Sequence, residues 1–222
     1  GEAGPPGELL RLNGLSCKLP HGRPIVSGLT LSVERGVNLL IQGPSGSGKT
    51  SMLRYVRGLW HLRPDEGTVS TRLDLGTGGI MFLPQRPYVF AGTLQRLITY
   101  PREDPHGPEL SWEDEGAGLV ATLFETLELG HLISRADGWN THRPWHDLLS
   151  LGEQQRVSLI RLIHHRPTLA ILDECTSALS TETEALVYRL LAEHKITVVS
   201  VAHRPSVANW HHKVCPALPP SL

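Results

Sequence analysis

Short, almost unbroken apolar runs recur along the chain at 37–41, 80–83, 169–172 and 196–201, several of them rich in β-branched residues. Each is too short for most helices. A strand that is apolar at every position is buried on both faces, and such strands are usually parallel. Between the runs the period changes. A helix is expected to open near Gly48 and to present Met52, Leu53, Val56 and Leu59 on one face. A second is expected over 153–165, stopping before Pro167 because the residue preceding a proline disfavours helical dihedrals. A third should begin near Thr181, where Thr181-Glu182-Thr183-Glu184 has capping-box spacing. Helices set between apolar strands make this an α/β chain.

The segments outside this alternation are polar. Residues 1–8 read as a linker, Gly- and Pro-rich over the first seven, 9–215 as one domain and 216–222 as a loose tail. Residues 101–118 set Glu103, Asp104, Glu109, Glu113, Asp114 and Glu115 against Arg102, and read as a solvated loop rather than an acidic interaction surface. Over all 222 residues, 21 Lys and Arg face 22 Asp and Glu, and a formal net charge of -1 does not suggest nucleic acid. Cys17, Cys175 and Cys215 are too few and scattered for a disulfide scaffold or a CxxC zinc site, so a reducing, cytosol-facing compartment is the default. No apolar run approaches the roughly 18 residues a membrane span needs. The chain opens on Gly1 without a signal-peptide pattern, which reads as a fragment or a processed product.

Candidate chemistry begins with Gly43-Pro44-Ser45-Gly46-Ser47-Gly48-Lys49-Thr50, which fits G-x-x-x-x-G-K-[ST]. It follows the apolar run 37–41 and opens a helix, the context such a loop requires. Glycines let consecutive backbone N–H groups curl around phosphate oxygens where a side chain would block them. The helix N-terminus adds partial positive charge. Lys49 should reach the β- and γ-phosphates of a nucleotide and the Thr50 hydroxyl should ligate Mg²⁺, with Ser51 continuing the binding segment. At ordinary residue frequencies the pattern arises by accident in about one chain per hundred of this length.

A carboxylate pair ends the run Leu169-Ala170-Ile171-Leu172 at Asp173-Glu174. An apolar strand would hold both acids at its C-terminal end, where α/β folds gather their ligands. Asp173 would orient Mg²⁺, and Glu174 would polarise an attacking water as a general base. Alone, two acids there could simply cap the next helix; beside a phosphate loop the chemical reading prevails.

Leu149-Ser150-Leu151-Gly152-Glu153-Gln154-Gln155-Arg156 is another polar, glycine-containing helix start, able to accept a phosphate group. It resembles the LSGGQ signature of ABC-type ATPases, with Leu151 and Glu153 as variants. Other elements of that family follow in order. Gln85 in Phe82-Leu83-Pro84-Gln85 resembles the Q-loop glutamine, Ser177-Ala178-Leu179-Ser180 the D-loop, and His203 the switch histidine. Gly58-Leu59-Trp60, Trp145-His146-Asp147-Leu148-Leu149-Ser150 and Ala202-His203-Arg204-Pro205-Ser206 are similar to subfamily D, half-transporters of peroxisomes and lysosomes that handle fatty acyl-CoAs or cobalamin, and to bacterial exporters of the SbmA/BacA and YddA type.

The resemblance implies a P-loop NTPase core with a mostly parallel sheet, a helical subdomain over about 93–160 and a small antiparallel β region near the N-terminus. It implies two such domains packed head to tail around two Mg-ATP. Lys49, Thr50, Gln85, Asp173, Glu174 and His203 would serve one nucleotide, with Thr50, Gln85 and Asp173 at the metal. Ser150 and Gly152 would donate to its γ-phosphate from the other domain, identical or different. Lys49, Gln85, Glu174 and His203 would then be catalytic, driving membrane domains that contact Gln85 and the segment after it, on the cytosolic face of a peroxisomal, lysosomal, ER or bacterial inner membrane.

Three departures accompany the resemblance. Cys17-Lys18-Leu19-Pro20 has no aromatic ring where many members stack adenine, Ser180 replaces the D-loop aspartate, and Leu151 replaces a signature glycine. Slow but genuine hydrolysis is expected. The alternatives are a soluble ABC ATPase acting on ribosomes or DNA, and a regulatory module that binds ATP without turnover; retention of Glu174 and His203 argues against the latter. His142 and His146, separated by Pro144, and the pairs His164-His165 and His211-His212 do not suggest a metal site. Cys175 is expected to be a small buried residue.

Overall fold

The computed structural model describes residues 6–18, 22, 24–43, 48–76, 78–101, 115–135 and 139–216. In chain order the elements are β1 (Glu8–Lys18), β2 (Pro24–Glu34), β3 (Leu39–Gln42), α1 (Lys49–Val56), β4 (Thr68–Thr71), β5 (Ile80–Leu83) and β6 (Ala91–Gly92). There follow α2 (Leu94–Thr99), α3 (Glu115–Thr126), α4 (Gly130–Arg135), β7 (Arg143–Pro144), α5 (Trp145–Leu148) and α6 (Leu151–His165). The chain closes with β8 (Leu169–Asp173), α7 (Thr181–Glu193), β9 (Thr197–Ala202), a 3₁₀ turn at Pro205–Trp210 and β10 (Lys213–Pro216). Glu8 and Pro216 therefore belong to strands and not to a linker or tail. The phosphate-loop residues Pro44, Ser45, Gly46 and Ser47, and Leu19 and Pro20, lie outside the described residues, as do 102–114 of the stretch 101–118 expected as a loop, whereas 115–118 open α3 and are helical.

Among the described residues, five strands form a sheet in the order β10-β3-β9-β8-β5, every neighbouring pair parallel. The apolar runs at 37–41, 169–172 and 196–201 supply its three inner strands and 80–83 one edge, and both faces are covered. Leu169, Ile171, Val199 and Val201 point into one core with Met52, Leu53 and the inward face of β1. Ala170, Leu172 and Val198 point into the other with Val157, Ile160 and Val187. Full burial of each such side chain is worth about 1.5–3 kcal/mol, so a polar residue in any of these runs would be costly. A separate antiparallel sheet, β2-β1-β4, lies near the N-terminus. α2 to α6 and the β6–β7 ribbon all lie between β5 and β8 in the chain.

One helix start and one cap differ from expectation, while α7 opens at Thr181 as expected. α6 begins two residues early because Ser150 and Glu153 form a complete capping box. α7 is capped by Ser180, whose hydroxyl accepts the Thr183 N–H, and not by Thr181. Leu59 falls beyond α1, which ends at Val56, and is 59% exposed. Gly58 has φ 70° there, a left-handed conformation that turns the chain away from the helix axis.

Candidate functional site

In a parallel sheet the C-terminal strand ends share one edge, and four of them converge here. β3 runs into Gly43, β5 into Pro84 and Gln85, β8 into Glu174 and β9 into His203. That edge is where open α/β sheets bind ligands.

Glu174 is its chemical centre. Its carboxylate accepts a hydrogen bond from Gln85 Nε2 at 3.0 Å on Oε2 and meets His203 Nε2 at 2.7 Å on Oε1. Three segments far apart in sequence thus hold one acid from both sides. The backbone of Glu174 is left-handed, φ 48°, although it is not glycine. Such a conformation costs about 1–3 kcal/mol and persists where surrounding contacts over-determine it. Here the Glu174 N–H donates to Val201 O at 2.9 Å, and Glu174 O accepts from the Ser177 N–H at 3.1 Å.

Asp173, the last residue of β8, is 6% exposed. Burial pushes its carboxyl up; a hydrogen bond from Thr50 opposes this, the neighbouring Glu174 adds to it, and Lys49 and Arg54 pull it down. Its Oδ1 is buried without a hydrogen-bond partner. An orphaned carboxylate oxygen beside a hydroxyl is the hard-oxygen donor set that a magnesium ion takes, so Thr50 and Asp173 fit that metal. Lys49 is 5% exposed and donates to Gly43 O at 2.9 Å across the phosphate loop; burial pulls its amine below the usual range while Glu174 and Asp173 oppose that shift.

Ser150 and Gly152 stand apart from this cluster. Among the described residues neither is hydrogen-bonded to Lys49, Asp173 or Glu174. The Ser150 N–H and hydroxyl both donate to Glu153 Oε2, at 2.8 and 2.7 Å. Gly152 lies against the D-loop: a Cβ there would sit 3.2 Å from Ala178 O, and the close approach demands a small residue. Leu151 is 43% exposed, so its side chain does not crowd Gly152.

Residues that the motifs did not reveal connect these parts. Gln155, fully buried, donates through Nε2 to Gln85 O at 3.3 Å and Ser177 Oγ at 3.2 Å, and its Oε1 accepts the Ala178 N–H at 3.0 Å. It ties the signature helix to both the Q-loop and the D-loop. Arg204, next to His203, donates to Leu179 O at 2.7 Å and Ser177 O at 2.8 Å. Buried Glu184 lies 3.6 Å from Arg204 and accepts from Thr176 Oγ1 at 3.0 Å and Ser206 Oγ at 2.6 Å. Position directly after the Ser150 signature was the one available signal for Gln155. Cys175 is 2% exposed and burial pushes its thiol up to about 12, so it is packing and not a nucleophile.

Beside the Q-loop lies a cavity of about 420 Å³ lined in part by Phe82, Pro84, Tyr88, Tyr100 and Arg161. Tyr88, Phe90 and Tyr100 form an aromatic cluster with ring centroids 5.2–5.5 Å apart, although Tyr88 is 57% exposed. Arg161 donates to Leu97 O and, at 3.1 Å, to Tyr88 O, while its Nη2 has no partner. Burial pulls its guanidinium down to about 10, still charged at neutral pH.

Comparison with known proteins adds three findings. Residues 26–177 match the family model described as ABC transporter. The chain is 38% identical over 198 residues to the human lysosomal cobalamin transporter ABCD4, covering 86% of this chain and 31% of that protein. It is 35% identical over 206 residues to human ATP-binding cassette sub-family D member 3, covering 92% and 29%, and 40% identical over 208 residues to an ABC transporter ATP-binding protein of Synechocystis, covering 93% and 30%. The chain therefore spans about a third of the length of these relatives. In fold it is similar to a bacterial Atm1-family ABC exporter with ATP bound, with a TM-score of 0.75 and 23% identity over 95% of this chain and 37% of that one. No helix among the described residues is long and apolar enough to cross a membrane.

Proposed function

Because the chain belongs to the ABC transporter family, we propose that this nucleotide-binding domain hydrolyses Mg-ATP in a head-to-tail dimer and drives membrane domains of a half-transporter. The observation that carries this reading is the Glu174 carboxylate, held between Gln85 and His203 one residue beyond Asp173. A carboxylate so held can orient a water and take its proton as the water attacks the γ-phosphate. Lys49 and the backbone N–H groups of its loop would hold the phosphates, and His203 would oppose the charge that develops on the transferring group. Thr50 and Asp173, with Gln85 adjoining, would hold the magnesium, which when bound neutralises charge on the phosphate oxygens.

The separation of Ser150 from this cluster supports a composite site. Its hydroxyl would meet the γ-phosphate of a second domain, identical or related, so ATP binding closes the pair and hydrolysis releases it. The groove beside the Q-loop, with the exposed ring of Tyr88 at its mouth, would seat the membrane domain. Membrane helices would choose the cargo, a fatty acyl-CoA or cobalamin by resemblance to subfamily D, and the domain would work on the cytosolic face.

Glu174→Gln tests the reading. The variant should bind Mg-ATP as the parent does and lose at least about a hundredfold in phosphate release. Undiminished turnover would remove Glu174 as the base.

A further inference from the structure

Glu153 puts a negative charge where the composite site needs to admit another. Its carboxylate is mostly buried and caps α6, and Oε2 takes both the N–H and the hydroxyl proton of Ser150. The Glu153 N–H donates back to Ser150 Oγ at 3.3 Å, so the one hydroxyl proton of Ser150 is committed. To reach a γ-phosphate, Ser150 must turn away from Glu153, and two anions then share one helix start. The partial positive charge of that start favours one anion; holding a second calls for a further hydrogen-bond donor.

His131 is that donor. It is the second residue of α4, and its Nε2 lies 3.0 Å from Glu153 Oε1, the oxygen that Ser150 leaves open. A carboxylate at this distance requires the imidazole nitrogen to donate. The other charges around it do not serve. Glu125 crowds Gly130 at the head of α4, and Glu128 lies in the turn before it. Arg156, on α6, is directed to Glu128 at 3.8 Å and to Leu127 O at 2.8 Å. His131 is thus the side chain from another helix that is bonded to Glu153.

We propose that His131 is a positioning residue for ATP-driven dimerisation, the donor that keeps Glu153 held when Ser150 turns to a partner's γ-phosphate. This rests on the composite-site reading above. His131 touches no substrate; it acts through Glu153.

The test is a suppressor experiment in the Glu174→Gln chain, which should trap the ATP-bound dimer, read by sedimentation against protein concentration. His131→Ala should weaken Mg-ATP-driven dimerisation by roughly three- to tenfold, the scale of one partly exposed hydrogen bond. ATP affinity of the monomer, set by the Lys49 loop, should not move. Adding Glu153→Gln should restore the dimer, because glutamine keeps the capping box while removing the charge. His131→Lys, which keeps a donor on a half-exposed side chain, should also dimerise as the parent does. Parental dimerisation by His131→Ala, or a defect that Glu153→Gln does not reverse, overturns the inference alone. A parent that never dimerises with Mg-ATP overturns the composite site and this inference with it.

Discussion

His203 Nε2 stands 2.7 Å from Glu174 Oε1, joining the end of β9 to the residue just past β8 on the open edge of the parallel sheet. The contact fixes where the carboxylate points before any nucleotide arrives. Gln85 holds the other oxygen, so removing the imidazole leaves Glu174 tethered on one side. His203→Ala should therefore lower turnover by about a hundredfold, the range of a lost acid–base or charge-stabilising group. ATP affinity should change by less than about threefold, because His203 is not part of the phosphate loop. Parallel measurements of phosphate release and nucleotide titration check this; equal losses in both would make His203 a binding residue.

Asp173 predicts the opposite pairing of stability and function. Burial raises its carboxyl and leaves Oδ1 unpartnered, so the ionised form destabilises the empty fold. A raised value means a contribution present at low pH and lost as pH rises through the folded value. At neutral pH Asp173→Asn should then raise the melting temperature of the nucleotide-free chain by a few degrees, about 1 kcal/mol. The same variant should lose magnesium-dependent ATP binding. A lower melting temperature would mean that Oδ1 is satisfied in solution.

These two sites were legible for a physical reason. Asp173 and Glu174 sit at the end of β8, and Lys49 and Thr50 open α1 after the loop that leaves β3, so local sequence fixes both the element and the residues at its end. Gln85 and His203 were legible from resemblance, and only the fold brings them to Glu174. Gln155, Arg204 and Glu184 were not, because their partners come from other segments and no short spacing records that. Glu184 even misled, since its place in Thr181-Glu182-Thr183-Glu184 suggested a cap while its carboxylate turned inward to Thr176 and Ser206. The cap at α7 fell to Ser180, which gives the residue replacing the D-loop aspartate a structural task.

Gln155 offers a sharp test of how the parts are joined. The Gln155 side chain is buried and makes three part-buried hydrogen bonds, and leucine fits the volume while satisfying none of them. Gln155→Leu leaves the Ala178 N–H unpaired and should cost about 1–3 kcal/mol of stability. A fall in the urea midpoint with an unchanged slope would register it. Turnover should fall further than stability alone explains, since Gln85 and the D-loop lose their common anchor. A variant as stable and active as the parent would mean that the loops hold themselves.

The acid limb of stability should carry the signature of Glu153. Burial raises its carboxyl, but hydrogen bonds from the Ser150 hydroxyl and N–H, with the bond and charge of His131, outweigh it and hold the group below its usual 4.5. With a depressed value the folded chain binds this proton less readily than the unfolded chain does. The contribution of the ionised cap is thus complete above about 4.5 and is lost as pH falls through the folded value. Glu153→Gln keeps the reach to Ser150 but does not titrate. The difference in melting temperature between parent and variant should be constant above about pH 5 and shrink or reverse toward pH 3. Thermal melts of both proteins across that interval measure it, and a difference that stays flat would show that Glu153 does not keep its charge in the fold.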